Sequence, residues 1–116
     1  MNKTKITCEL EVTLLAISGK WKPLILYHLI NNGTKRFGEI MQFLNHNVSH
    51  KTLTNQLRDL EKSELISRHV YAVVPPKVEY TITKKGESLL PILNLMCEWG
   101  SNNLNNSYEL INPQCN

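Results

Sequence analysis

The stretch from Val48 to Tyr80 constrains this chain most. It reads VSHKTLTNQLRDLEKSELISRHVYAVVPPKVEY. Ser49 is a good N-cap, because its hydroxyl can accept from a free backbone N–H of a first helical turn. A helix is therefore expected to run from it to about Ser63. Leu53, Leu57 and Leu60 recur at i, i+4 and i+7 and form one buried stripe. The opposite face carries Lys51, Thr54, Asn55, Arg58 and Lys62. Leu65 to Val74 and Val78 to Thr83 then read as strands. In the second, Val78, Tyr80 and Ile82 alternate with Glu79 and Thr81, the period of a half-buried strand. Pro75 and Pro76 lock φ and stiffen the turn between the strands. Few small folds put a basic helix directly before a basic hairpin.

The flanks extend the pattern. Cys8 to Ile17 is expected to be a first helix with Leu10, Leu14 and Ile17 on an apolar stripe, ended by Gly19. Trp21 to Ile30 reads as a buried second helix with Pro23 in its first turn, where proline is tolerated. Thr34 to Phe37 is a candidate minor strand. Gly38 to Leu44 is a short helix with Ile40, Phe43 and Leu44 inward, followed by an Asn45-His46-Asn47 turn. Thr83 is expected to cap one long last helix over Leu89, Ile92, Leu93, Met96 and Trp99, kinked at Pro91. A polar, Asn-rich tail follows Gly100, with a candidate short helix at Tyr108 to Ile111. The order helix, helix, short strand, helix, helix, strand, strand, helix is that of a winged helix-turn-helix: mainly α, with a small antiparallel β-hairpin wing.

Composition excludes several classes. The 116 residues suffice for one domain, 41% hydrophobic and 20% charged. No apolar run approaches the roughly 20 residues that cross a bilayer, and the N-terminus lacks the apolar core of a secretory signal. The expectation is a cytoplasmic protein without membrane contact. The net charge of +3 is uneven. The segment 35–85 holds nine Lys/Arg against five Asp/Glu, whereas 86–116 holds three Glu and no Lys/Arg. That is either an ordinary mixed surface or a basic face for a polyanion, with Glu87, Glu98 and Glu109 turned away from it. Cys8, Cys97 and Cys115 form no CxxC pair, and their odd number argues against a disulfide framework. Cys97 is expected to be packed, and Cys115 lies in the tail. His46 and His50 are four apart, but a turn separates them and no carboxylate or thiol accompanies them, so no metal or cofactor is expected. A Ser-His-Asp order and a phosphate-cradling glycine loop are both lacking, so no enzyme is expected.

The chemistry suits double-stranded DNA. Asn55 can make a bidentate pair with adenine and Arg58 with guanine in the major groove. His50, Lys51, Thr52 and Thr54 lie beside them. Ser49 and the helix N-terminus can hold a phosphate. Lys77, Arg68, Lys35 and Arg36 are candidate backbone contacts. Phe37 is assigned to the core. The bland alternative is a solvated helix face with a Ser cap and a rigid loop bearing an ordinary lysine. The functional rival is a winged-helix module that contacts proteins, for which an uncharged or acidic face is expected.

Particular residues carry a family resemblance. They are Cys8, Gly19-Lys20-Trp21-Lys22, Lys35-Arg36-Phe37, Ser49 with Leu53, Gln56-Leu57-Arg58 and Leu60-Glu61, the wing Val74 to Tyr80, Thr83, Gly86, and Cys97-Glu98-Trp99-Gly100. In this order the chain resembles the HxlR-type winged-helix transcription regulators, relatives of the MarR type, over 8–100. The frequent Cys-Pro of that family is here Cys8-Glu9, and 101–116 has no clear family pattern. The resemblance implies a homodimer on operator DNA that represses or activates nearby genes. Leu10, Leu14, Leu89, Ile92, Leu93, Met96 and Trp99 are the candidate dimer surface, with the protomer's own core as the alternative use; the tail 101–116 belongs to the same region. In relatives that sense oxidants or electrophiles, the reactive cysteine stands at the position of Cys8. A helix start favours a thiolate there, and Lys3 and Lys5 are near in sequence. Cys8 is thus either a redox switch or an inert, half-buried thiol. The operator, the inducing signal and any small-molecule effector are not encoded legibly.

Overall fold

A computed structural model of the chain describes residues 3–115. The elements are α1 (Glu9–Ile17), α2 (Trp21–Asn32), β1 (Lys35–Arg36), α3 (Phe37–Phe43), α4 (His50–Lys62), β2 (Ile66–Tyr71), β3 (Lys77–Ile82), α5 (Lys84–Glu87) and α6 (Leu90–Asn102). The three strands form one antiparallel sheet in the order β1-β3-β2. This is the winged helix-turn-helix architecture, and the minor strand at Lys35–Arg36 closes the sheet on its inner edge.

The apolar α2 is the centre of the fold. Ile25, Leu26 and Leu29 are fully buried, and α2 touches α1, α4, α5, α6 and β3. Gly33, at φ 84°, ends the helix in a conformation that costs a side-chain-bearing residue energy. The leucines of α4 enter the same core from the other side, with Leu53, Leu57 and Leu60 at most 1% exposed. Ile40, Leu44, Val48, Leu65, Ile66 and Tyr80 extend it. From α1 only Ile17 is buried, so this helix rests on the core by its C-terminal end alone.

Several expectations are corrected. The last helix is two helices. Thr83 caps the four-residue α5, its Oγ1 accepting from the Gly86 N–H at 3.0 Å. A new helix starts at Leu90 with Pro91 in its first turn. Proline lacks an N–H to donate and is tolerated there, so the chain restarts at Pro91 and does not kink through it. The first wing strand stops at Tyr71, because Ala72 to Pro75 bend away. Tyr108–Ile111 is not helical. The Asn105 side chain accepts from the Ser107 N–H at 2.8 Å, a local turn that competes with a helix start. The expectation against a disulfide also fails: Cys97 and Cys115 are bonded, with Cα atoms 5.7 Å apart. Leu89 and Leu93, assigned to a dimer surface, are 9% and 3% exposed and belong to the protomer's own core.

Candidate DNA-binding interface

The helix-turn-helix consists of α3, its turn and α4. The α3 start is held by a capping box, in which the Arg36 backbone N–H donates to Glu39 Oε1 at 2.8 Å. Asn45 and His46 take φ values of 54° and 56°, a left-handed pair that Asn tolerates better than most side chains. Ser49 then caps α4. Its Oγ accepts from the Thr52 N–H at 3.0 Å and donates to Thr52 Oγ1 at 2.9 Å. Both hydroxyls are therefore engaged in the cap. Thr54 Oγ1 donates to the His50 carbonyl at 2.8 Å and so keeps only acceptor capacity.

The rest of the outer face is open. His50, Lys51, Asn55 and Arg58 are exposed. Among the described residues, the side chains of Lys51, Asn55 and Arg58 make no hydrogen bond or ion pair. His50 leans on Phe37, with ring centroids 4.5 Å apart. Phe37 itself packs against the core. The carboxyl end of α4 is buttressed by groups that sequence reasoning counted only as charge or as a helix cap. Lys85 Nζ donates to the Ser63 carbonyl at 2.9 Å, and Thr83 Oγ1 donates to the Glu64 carbonyl at 2.7 Å. A cation at this end also suits the helix dipole.

The wing sorts its residues by parity. Arg68 pairs with Tyr80 and Tyr71 pairs with Lys77, so Arg68 and Lys77 project from opposite faces of the hairpin. Arg68 shares the face of Ile66 and Tyr80. Lys77 shares the other face with His69, Tyr71 and Glu79, and Arg36 joins it through its pairing with Glu79. Lys35, opposite Tyr80, faces the other way and is partly buried. Lys77 is not a bare lysine. Its Nζ lies 3.5 Å from Glu79 and 4.6 Å from the centre of the Tyr71 ring. Tyr71 donates to Glu79 Oε1 at 2.7 Å. That hydrogen bond is the main reason that Glu79 titrates below the ordinary carboxylate value and Tyr71 above the ordinary phenol value. The sequence alternation placed Glu79 on a face of the second strand, but the cluster needs the register that sets Tyr71 opposite Lys77.

Behind α3, His28 stacks on Phe43 at 3.8 Å, and its Nδ1 accepts from Asn32 Nδ2 at 3.1 Å. Burial holds its pKa below the ordinary value, helped by the nearby Lys35 and opposed by Glu39.

Of the apolar residues assigned to a dimer surface, Leu10, Leu14, Ile92, Met96 and Trp99 are exposed, Trp99 by 71%. Val12, Leu15 and Leu95 are exposed as well. Cys8 is exposed and unpaired, at the N-cap of α1.

Residues 16–108 match the model of the HxlR-like helix-turn-helix family. The chain belongs to that family. It is similar to MalR of Fusobacterium mortiferum, 50% identical over 101 residues, which are 87% of this chain and 94% of that protein. It is 45% identical over 115 residues to the HTH-type transcriptional regulator YkvN of Bacillus subtilis strain 168, covering 95% and 96% of the two chains. The oxidised form of the redox regulator HypR superposes with a TM-score of 0.78 at 45% identity, over 84% of this chain and 99% of the other. This HxlR-like chain is accordingly a transcriptional regulator of the helix-turn-helix type, and its family members are regulators, not catalysts. Among the described residues no helix is long and apolar enough to cross a membrane.

Proposed function

We propose that two copies of this chain bind an inverted-repeat operator in double-stranded DNA, each placing α4 in a major groove and laying its wing along the adjacent backbone. The observation that carries this reading is the outer face of α4. Lys51, Asn55 and Arg58 stand free while Leu53, Leu57 and Leu60 bolt the helix to the core. Asn55 and Arg58 are the base-reading pair, and Lys51 and His50 meet the backbone or a base near the helix start. The hydroxyls of Ser49, Thr52 and Thr54 hold the helix and its first turn. From the wing, Arg36 and Lys77 reach phosphates on one side and Arg68 on the other, with Lys35 a minor contributor.

The exposed parts of α1 and α6, with Leu10, Leu14, Ile92, Met96 and Trp99, form the dimer contact. Such an arrangement sets two recognition helices about 34–36 Å apart. Cys8, at the start of α1, is the reactive thiol. Its oxidation or alkylation changes the α1 contact and with it the spacing of the two helices. The relative HypR carries the name of redox regulator, which supports a redox-responsive reading here.

The test is a binding titration on selected duplexes with wild-type and Cys8→Ser protein, each before and after mild diamide treatment. The reading predicts that diamide changes operator affinity of the wild type and not of Cys8→Ser. Equal responses, or none, remove Cys8 from the mechanism while leaving the DNA-binding claim to the operator affinity itself.

A further inference from the structure

The C-terminal tail after α6 has no regular secondary structure over 103–115, yet it folds back across the molecule. It crosses an apolar cavity of about 490 Å³ that lies between the tail, α2 and α6. Leu24 and Tyr27 of α2, Met96 and Cys97 of α6, and Leu110 and Pro113 of the tail are among its walls. The size and the apolar lining are those of small-molecule sites. Among the described residues Lys20 is the single charged one on the wall. Two ties hold the tail in place. Asn112 Nδ2 donates to the Phe43 carbonyl at 2.8 Å, and the Cys97–Cys115 bond spans 18 residues. Both bonded cysteines line the cavity. Leu110 and Ile111 are otherwise 60% and 70% exposed, so little packing holds this segment.

We propose that this cavity binds a largely apolar small molecule bearing one anionic group, and that the Cys97–Cys115 bond keeps the tail in place as its outer wall. The apolar body fits the α2–α6 side, and the anion meets Lys20 at the rim. Opening follows thiol–disulfide exchange with a dithiol. One thiolate of the reductant attacks a protein sulfur and releases the other as thiolate. The second thiol of the reductant then closes on the mixed disulfide. The protein pair gains two electrons and two protons and becomes two thiols, and the reductant becomes a cyclic disulfide. Without the bond the tail leaves, and α2 and α6 present an open surface in place of a cleft walled on its outer side. The wall is then no longer organised before binding, which weakens the ligand.

The experiment uses the full chain with Cys8→Ser, so that only the pair responds to dithiothreitol. The probe is anilinonaphthalene sulfonate, an aromatic body with one sulfonate, followed by fluorescence titration. Oxidised protein binds one probe per chain, and reduction weakens binding by about 5–150-fold, the ordinary range for two coupled equilibria. Cys97→Ser and Cys115→Ser bind weakly without reductant. Leu24→Trp, which fills the cavity from an exposed position on α2 outside the dimer contact, weakens the oxidised form. Lys20→Gln weakens this probe but not the uncharged phenylnaphthylamine. By linkage, saturating probe shifts the dithiol–disulfide equilibrium toward the disulfide by the same factor. That second readout remains available if a serine variant folds poorly. Probe binding that ignores both reduction and Leu24→Trp overturns the proposal. So does a thiol–disulfide equilibrium that probe leaves unmoved. Neither result involves DNA, so either leaves the operator reading intact.

Discussion

Asn55 concentrates the specificity argument at the scale of the residue. Its amide has no partner within the protein among the described residues, and its helix cannot rotate without exposing three leucines. Asn55→Ala is expected to lose discrimination at one base pair of each half-site, by about 1–3 kcal/mol, with little change on random DNA. Competition titrations with single-base operator variants measure this, and an unchanged preference contradicts the assigned phase of α4. Lys77→Ala is expected to weaken all sequences alike, and modestly, because Glu79 and Tyr71 already share its charge. His28 gives a pH signature. Its folded-state pKa lies below the ordinary 6.5 because burial penalises the charged ring. As pH falls through 6.5 the unfolded chain takes up a proton that the folded chain refuses. Stability therefore drops until the folded pKa is reached and levels off below it. His28→Gln should flatten that part of the stability profile in urea titrations at stepped pH.

At the scale of elements, the wing base depends on a close approach. A Cβ on Gly86 would collide with the Leu65 carbonyl oxygen and with the Ile82 side chain. Gly86→Ala is expected to destabilise the fold by at least about 1–3 kcal/mol, read as a lower denaturation midpoint, since backbone must move to accommodate it. An unchanged midpoint would show that α5 is not pinned against the strands. Helix α4, its cap and its leucine stripe were legible in the sequence because a single helix carries its own period and Ser49 its own signal. The hairpin was legible for the same local reason. The break at Pro91 was not, since an apolar run on both sides of a proline fits a kink and a restart equally well. Leu89 and Leu93 follow from that break: one is the N-cap of the second helix and the other lies in its first turn, and both turn into the core. The pairing of Cys97 with Cys115 was illegible because it depends on a tail that returns without any periodic element of its own.

At the scale of the whole molecule, the helix-turn-helix and wing carry the exposed Arg36, Lys51, Arg58 and Arg68, and α1 with α6 carries exposed apolar groups including Trp99. Large apolar groups left exposed on a folded chain are where a contact site is expected. Trp99→Glu is expected to shift the sedimenting species from dimer to monomer and to weaken operator binding while leaving the isolated fold intact. A dimer that survives the substitution moves the interface elsewhere. Binding to random duplex should weaken with salt at a log–log slope of about −0.9 for each phosphate neutralised. Charge and hydropathy pointed to a basic face and an apolar face, but not to which apolar residues are shared with the core, because both uses select the same side chains. The most direct measurement is selection from a random duplex pool by wild-type protein and Asn55→Ala in parallel. The account predicts an inverted repeat for the wild type, with half-site centres about one helical turn apart or a multiple of it. It predicts that one base pair per half-site becomes free in the variant. An unenriched pool, or the same motif with undiminished preference in both, would contradict it.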